Sequence, residues 1–296
     1  MAWAGLTDVR CSYALLGQGD PLLLVPGLGV TSRVWDPIVP ELSEHFSLIM
    51  PDNRGVGLSA ARRKARSLGD YTSDLVELLD YLQVDRAHVL GLSLGGVIAI
   101  KLAAEHAGRI NRLVLASCTD RFTPYLREVA MLLGQTLGRL RRDAFARTVE
   151  VLGSAPEYLD AQPHLVAERV RQKREQRVPA REVARQLRCL AASQIDLERD
   201  PITAPTLVIA GEHDVLIPSC YARVTARRIA GSRFVLVPGA GHNPLAERPG
   251  EVLPEVIGFL KGRSSSNGNG EGGEVVESSS SSSNRVSSFF TGGHAS

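Results

Sequence analysis

Short apolar runs alternate with stretches in which apolar side chains recur at helical spacing along most of this chain. Val9–Leu16 reads as a first strand, Gly17-Gln18-Gly19-Asp20 supplies turn chemistry, and Pro21–Val25 follows as an apolar run. A run that is apolar at every position suits a strand covered by helices on both faces. Ser47–Met50, His88–Leu90, Leu113–Ala116, Thr206–Ile209 and Phe234–Val237 continue the series. Between them, Tyr71–Leu82 sets Leu75, Val76, Leu78, Leu79 and Leu82 on one side, with Thr72 or Ser73 as its N-cap, and Val97–His106 is apolar and Ala-rich. Strands alternating with helices predict an α/β fold built on a mostly parallel sheet.

The alternation stops between Arg121 and Arg199, where the pattern is helical throughout. This predicts a helical cap, 121–199, inserted into a core formed by 5–120 and 200–261. From Gly262 the chain turns to Ser, Gly and Asn, with six consecutive serines at Ser278–Ser283, and 262–296 is expected to be disordered. A length of 296 residues allows one large domain or two small ones, and the insertion favours one interrupted body.

Charge narrows the partners. With 34 Lys and Arg against 32 Asp and Glu, the net charge of +2 argues against a dedicated nucleic-acid or membrane-surface binder. No apolar run approaches the roughly 20 residues of a membrane span. The first residues, Met1-Ala2-Trp3-Ala4-Gly5, carry neither a basic start nor a long apolar stretch, and the four cysteines form no CxxC pair. A cytoplasmic protein with reduced thiols is expected. The cap departs from this balance, with 15 basic against 10 acidic residues, a net of +5. That excess reads either as a solvated Arg-rich face, the default, or as an attractor for an anionic substrate, with Arg127, Arg139 and Arg188 as candidates to read it.

The chemistry concentrates at Gly91-Leu92-Ser93-Leu94-Gly95-Gly96, directly after the strand His88–Leu90 and directly before the helix from Val97. A sharp strand-to-helix turn would hold Ser93 in a strained conformation with its hydroxyl exposed, and the flanking glycines suit the crowding of such a turn. A serine hydroxyl needs a base and an orienting acid to act as a nucleophile. His242 follows the strand Phe234–Val237, and Asp214 follows Thr206–Ile209, so both leave the carboxyl ends of strands, where ligand chemistry gathers in open α/β sheets. Glu212 is a rival for the acid, and His213 reads as structural. Acyl transfer also requires donors for an oxyanion. Leu94 offers a backbone N–H at a helix start, and Leu28, in Pro26-Gly27-Leu28-Gly29, offers a second. No cluster has metal-ligand spacing, and no cofactor is expected.

Together PGLG, Asp52-Asn53-Arg54-Gly55-Val56-Gly57-Leu58-Ser59, GLSLGG, Gly211-Glu212-His213-Asp214 and Gly241-His242 resemble the α/β-hydrolase fold superfamily over residues 10–261. The resemblance implies an eight-stranded sheet with a helical cap before the strand that carries the acid, and the chain order Ser93, Asp214, His242 as the triad. It also implies that Asp52 and Arg54 brace one another and the oxyanion loop. Ser93 at the elbow argues against dehalogenases and epoxide hydrolases, which place Asp there, and PGLG against enzymes with an HGGG-type loop. The expected activity is hydrolysis of a small carboxylic ester or lactone through an acyl-enzyme, similar to 3-oxoadipate enol-lactonases. A perhydrolase or carbon–carbon bond hydrolase, an acyltransferase on the same residues, or a non-catalytic ligand receptor are the alternatives. Oligomeric state is not readable.

Overall fold

A computed structural model of the chain describes residues 1–263, apart from residues 177 and 194. The expected disordered tail lies outside the described residues beyond Arg263. The core strands are β1 (Ala2–Gly5), β2 (Val9–Leu16), β3 (Asp20–Val25), β4 (Phe46–Pro51), β5 (Ala60–Ala61), β6 (Ala87–Leu92), β7 (Ile110–Ala116), β8 (Thr206–Gly211) and β9 (Arg233–Val237). They form one sheet in the order β1-β2-β4-β3-β6-β7-β8-β9, with β5 paired to β2. β2 runs antiparallel to β1, β4 and β5, and the remaining neighbours are parallel.

The sheet has nine strands, where the apolar runs mark seven and the resemblance implies eight. The two strands without a run carry little apolar signal: β1 buries only Ala4, and β5 is two alanines long. β1 places Ala2–Gly5 at the edge of the sheet.

The continuous apolar runs follow from the two-residue period of a strand. In β3, Leu23 and Val25 enter one core cluster while Leu22 and Leu24 enter the other. In β7, Leu113 and Leu115 face the first cluster, and Val114 and Ala116 the second. The core helices are α1 (Val39–Ser43), α2 (Leu68–Tyr81) and α3 (Leu94–Glu105), followed after the cap by α9 (Ser219–Arg228), α10 (Pro244–Glu247) and α11 (Pro249–Leu260). Residues of α2, α3 and α9 fill the first cluster, and residues of α1, α10 and α11 the second.

α2 starts four residues before the expected N-cap pair. Ser67 caps it, and Asp70 Oδ2 accepts the Ser67 backbone N–H at 3.0 Å. Thr72 is buried and Ser73 exposed, and both lie inside the helix, past its first turn, so neither is the cap.

Between β7 and β8 the chain leaves the sheet as α4 (Pro124–Arg139), α5 (Arg142–Gly153), α6 (Pro156–Ala161), α7 (Pro163–Glu175) and α8 (Ala180–Ala191). These helices roof the carboxyl ends of β3, β6, β8 and β9, from which the Leu28 loop, Ser93, Asp214 and His242 follow. None of the described helices is long and apolar enough to cross a membrane.

Candidate active site

Ser93 stands between β6 and α3 with φ 56° and ψ −120°, a conformation that side-chain-bearing residues rarely hold. Close packing enforces it. A β-carbon on Gly91 would run into the carbonyl oxygen of Gly95, and one on Gly95 into that of Val25. The elbow therefore tolerates only glycine at those two places, and the backbone, not a side chain, aims Ser93.

His242 reaches this hydroxyl from the loop after β9, with Nε2 2.9 Å from Ser93 Oγ. Its Nδ1 lies 2.8 Å from Asp214 Oδ2. An ionised carboxylate only accepts, so Nδ1 carries the proton and Nε2 is left to accept the serine O–H. Asp214 is buried, and its Oδ1 accepts the backbone N–H groups of Leu216 and Ile217, both at 2.9 Å. Those two bonds fix the carboxylate before it meets the imidazole. Glu212 points elsewhere, accepting the Gly239 N–H at 3.0 Å. His213 stands beside carboxylates, 3.8 Å from Glu157.

The loop after β3 closes on the same spot. A β-carbon on Gly27 would sit 3.4 Å from Ser93 Cβ. Leu28 and Leu94 follow in space, and among the described residues neither backbone N–H donates to a protein acceptor. Asn53 Nδ2 donates to Pro26 O at 3.1 Å, and Asp52 Oδ1 accepts the Ser32 N–H at 2.8 Å, so the β4 loop braces both ends of this segment. Arg54 does not brace Asp52 as expected. It makes a bidentate pair with Asp74 of α2, at 2.6 Å from Nε, because its side chain turns into α2 away from the site.

Other residues in the site carried no sequence motif. Glu247, buried in α10, accepts N–H groups of Gly241 at 2.8 Å and Ala155 at 3.0 Å, tying the His242 loop to the cap. Burial pushes its carboxyl above the ordinary range, and the backbone N–H groups only partly oppose that. The His242 N–H itself donates to Gly153 O, at 2.8 Å, on the cap side. The single available signal for Glu247 was an acid in the first turn after Asn243-Pro244.

Ser93 and His242 open into a cavity of about 670 Å³ beneath the cap. Leu126, Val129 and Leu133 of α4, Val149 of α5 and Val183 and Leu187 of α8 form an apolar wall. Charge enters from α7, where Arg169 and Lys173 converge on buried Glu150 at 2.9 and 2.6 Å. Burial raises the Glu150 carboxyl, but the two cations outweigh it and hold the group below its ordinary value. Arg127, Arg139 and Arg188, the candidates for reading an anionic substrate, are absent from this lining. Arg127 instead donates to Ala191 O at 2.9 Å. Among the described residues no group of three or more His, Cys, Asp or Glu side chains could hold a metal ion.

A strand-turn-helix serine, an imidazole from the last strand's loop and a roofing cap also describe a known family, and residues 20–249 match the alpha/beta hydrolase fold. The chain belongs to the alpha/beta hydrolase fold family. It is 26% identical to the pyrrolizixenacetamide deacetylase of Xenorhabdus hominickii over 254 residues, 86% of this chain and 95% of that one. Among solved structures, a hydrolase from Pseudomonas aeruginosa PA01 superposes with a TM-score of 0.77 at 30% identity, covering 88% of this chain and 97% of that one. The enol-lactonase from Burkholderia xenovorans LB400 gives a TM-score of 0.77 at 29% identity, covering 88% and 100%. The protein is a hydrolase.

Proposed function

We propose that this hydrolase cleaves small carboxylic esters or lactones through an acyl-enzyme on Ser93. The observation that carries the reading is the imidazole of His242 bridging Asp214 and Ser93 within 2.9 Å on either side. In the proposed first step, Ser93 Oγ attacks the acyl carbon as its proton passes to His242 Nε2. Leu28 and Leu94 N–H groups receive the charge that develops on the carbonyl oxygen. As the tetrahedral intermediate collapses, the leaving oxygen takes the proton from Nε2. Water then repeats the cycle on the acyl-enzyme, giving its proton to Nε2 and releasing the acid as Ser93 recovers its hydrogen. Asp214 fixes the productive tautomer and stabilises the imidazolium throughout.

The cavity favours an apolar acyl group over a small dicarboxylate. Its wall on α4, α5 and α8 is aliphatic, Arg169 and Lys173 are committed to Glu150 and Arg33 to Asp36, and Arg174 is the one lining cation with no ion pair among the described residues. Similarity to the enol-lactonase supports lactone chemistry, while the aliphatic wall and the pairing of three of the four lining cations favour an apolar group over a dianionic one. A series of p-nitrophenyl esters from acetyl to decanoyl, alongside aliphatic lactones and a dianionic lactone, tests the proposal. Each added methylene is expected to raise kcat/KM about threefold to fourfold until the wall is met, from about 0.8 kcal/mol per buried methylene. A flat series, or preference for the dianionic lactone, would contradict the apolar reading. No turnover of any ester or lactone would count against the function itself.

A further inference from the structure

We infer that Gln186, on cap helix α8, is a positioning residue that sets the oxyanion loop from above. The inference rests on the reading that Leu28 N–H serves as an oxyanion donor. Among the described residues, the hydrogen bonds between the core and this loop lie at its ends, from Asn53 to Pro26 and from Ser32 to Asp52. The middle is held by the cap. Gln186 Oε1 accepts the Gly29 N–H at 2.8 Å, and Gln176 Oε1 accepts the Thr31 N–H at 3.2 Å. The Gly29 N–H belongs to one of the two peptide planes flanking the Leu28 Cα, so Gln186 fixes the local geometry of the proposed donor residue without touching substrate.

Two further observations separate this from ordinary packing. Gly29 adopts φ +63°, and a β-carbon there would sit 3.0 Å from Val183, one turn before Gln186 on the same helix. α8 thus lies directly against the loop, close enough that a β-carbon there would have to push Val183 back by a few tenths of an ångström. Gln186 is fully buried, yet its Nε2 has no partner among the described residues. A leucine or methionine would fill the same volume without burying an unmatched amide. The polar side chain is retained for its oxygen, and that oxygen has one use here, the Gly29 N–H. The oxyanion donor is therefore set by a cap residue 157 positions away in sequence, and the cap contributes to catalysis as well as to the cavity wall.

The test compares Gln186→Leu, which removes the acceptor at similar volume, with Gln186→Glu, which keeps an acceptor oxygen. Steady-state kinetics on an ester are paired with the affinity of a trifluoromethyl ketone, whose adduct with a serine places an oxyanion where the donors should lie. Gln186→Leu is expected to lower kcat about 10- to 100-fold, the scale of a misplaced or lost oxyanion donor. KM should stay within about twofold, and ketone affinity should fall by the same factor as kcat. Gln186→Glu should recover most of both. Unchanged kcat in folded Gln186→Leu, or a rise in KM alone, would overturn the inference. Equal losses in both variants would overturn it too, since packing rather than the acceptor would then matter. If Gln186→Leu does not fold, Gln186→Met takes its place, with the same losses expected and the same contrary results decisive. A wild-type protein that binds no ketone would instead overturn the underlying serine-hydrolase reading.

Discussion

The floor of the cavity and its roof are built on different principles. The floor is backbone: Ser93 is aimed by a turn in which a β-carbon at Gly91 or Gly95 would strike a carbonyl oxygen, and Asp214 is fixed by two main-chain N–H groups. The roof is side chain: aliphatic residues of α4, α5 and α8 face the cavity, and buried Glu150 ties α5 to Arg169 and Lys173 of α7. Backbone geometry leaves few ways to substitute, whereas an aliphatic wall accepts many sequences of similar volume. Glu247 and Gln186 are the exceptions that join the two layers, one at the His242 loop and one at the loop that carries Leu28 and Gly29.

Substitutions sharpen that contrast, and those in the floor should do more damage. His242→Ala is expected to lower kcat about 10⁶-fold, near 8 kcal/mol, with the fold intact by circular dichroism. Turnover comparable with wild type would refute its assignment as the base. Asp214→Asn should cost about 10⁴ in kcat by holding the wrong tautomer; a loss below tenfold would point to Glu212 as the working acid. Gly95→Ala should destabilise the fold by about 3 kcal/mol in urea denaturation, because the added carbon meets backbone that cannot retreat. An unchanged midpoint would mean that the elbow is less rigid than described.

In the roof, Glu150→Gln should cost about 2 kcal/mol, less than a fully buried pair, since Arg169 and Lys173 retain partial access to water. Because the folded carboxyl sits below its ordinary value near 4.5, its stabilisation is present above about pH 4.5 and is lost as pH falls through the lower folded value. The stability gap between wild type and Glu150→Gln should therefore close on acidification. A gap independent of pH would show that packing, and not the ion pair, holds α5 to α7.

The same division governs what could be read from the sequence. The three residues that meet at the floor stand in short local motifs at strand ends, where spacing along the chain dictates geometry. Gln186 and Glu247 act through contacts 157 and 92 residues apart; nothing local marks Gln186, and only a first-turn acid marks Glu247. The cap's excess of arginine is legible as a count and not as a direction: Arg141 and Arg181 keep 90% and 80% of their side chains in solvent. Strand β1 leaves no mark in the sequence, because a four-residue edge strand burying one alanine has no alternation to detect.

Whether the floor activates Ser93 as a nucleophile is tested most directly by a fluorophosphonate probe read by intact mass and peptide mapping. One adduct per chain is expected, on Ser93, absent from Ser93→Ala and strongly slowed in His242→Ala. A well-folded wild-type protein that takes no label, or a label that persists in Ser93→Ala, would contradict that role for Ser93.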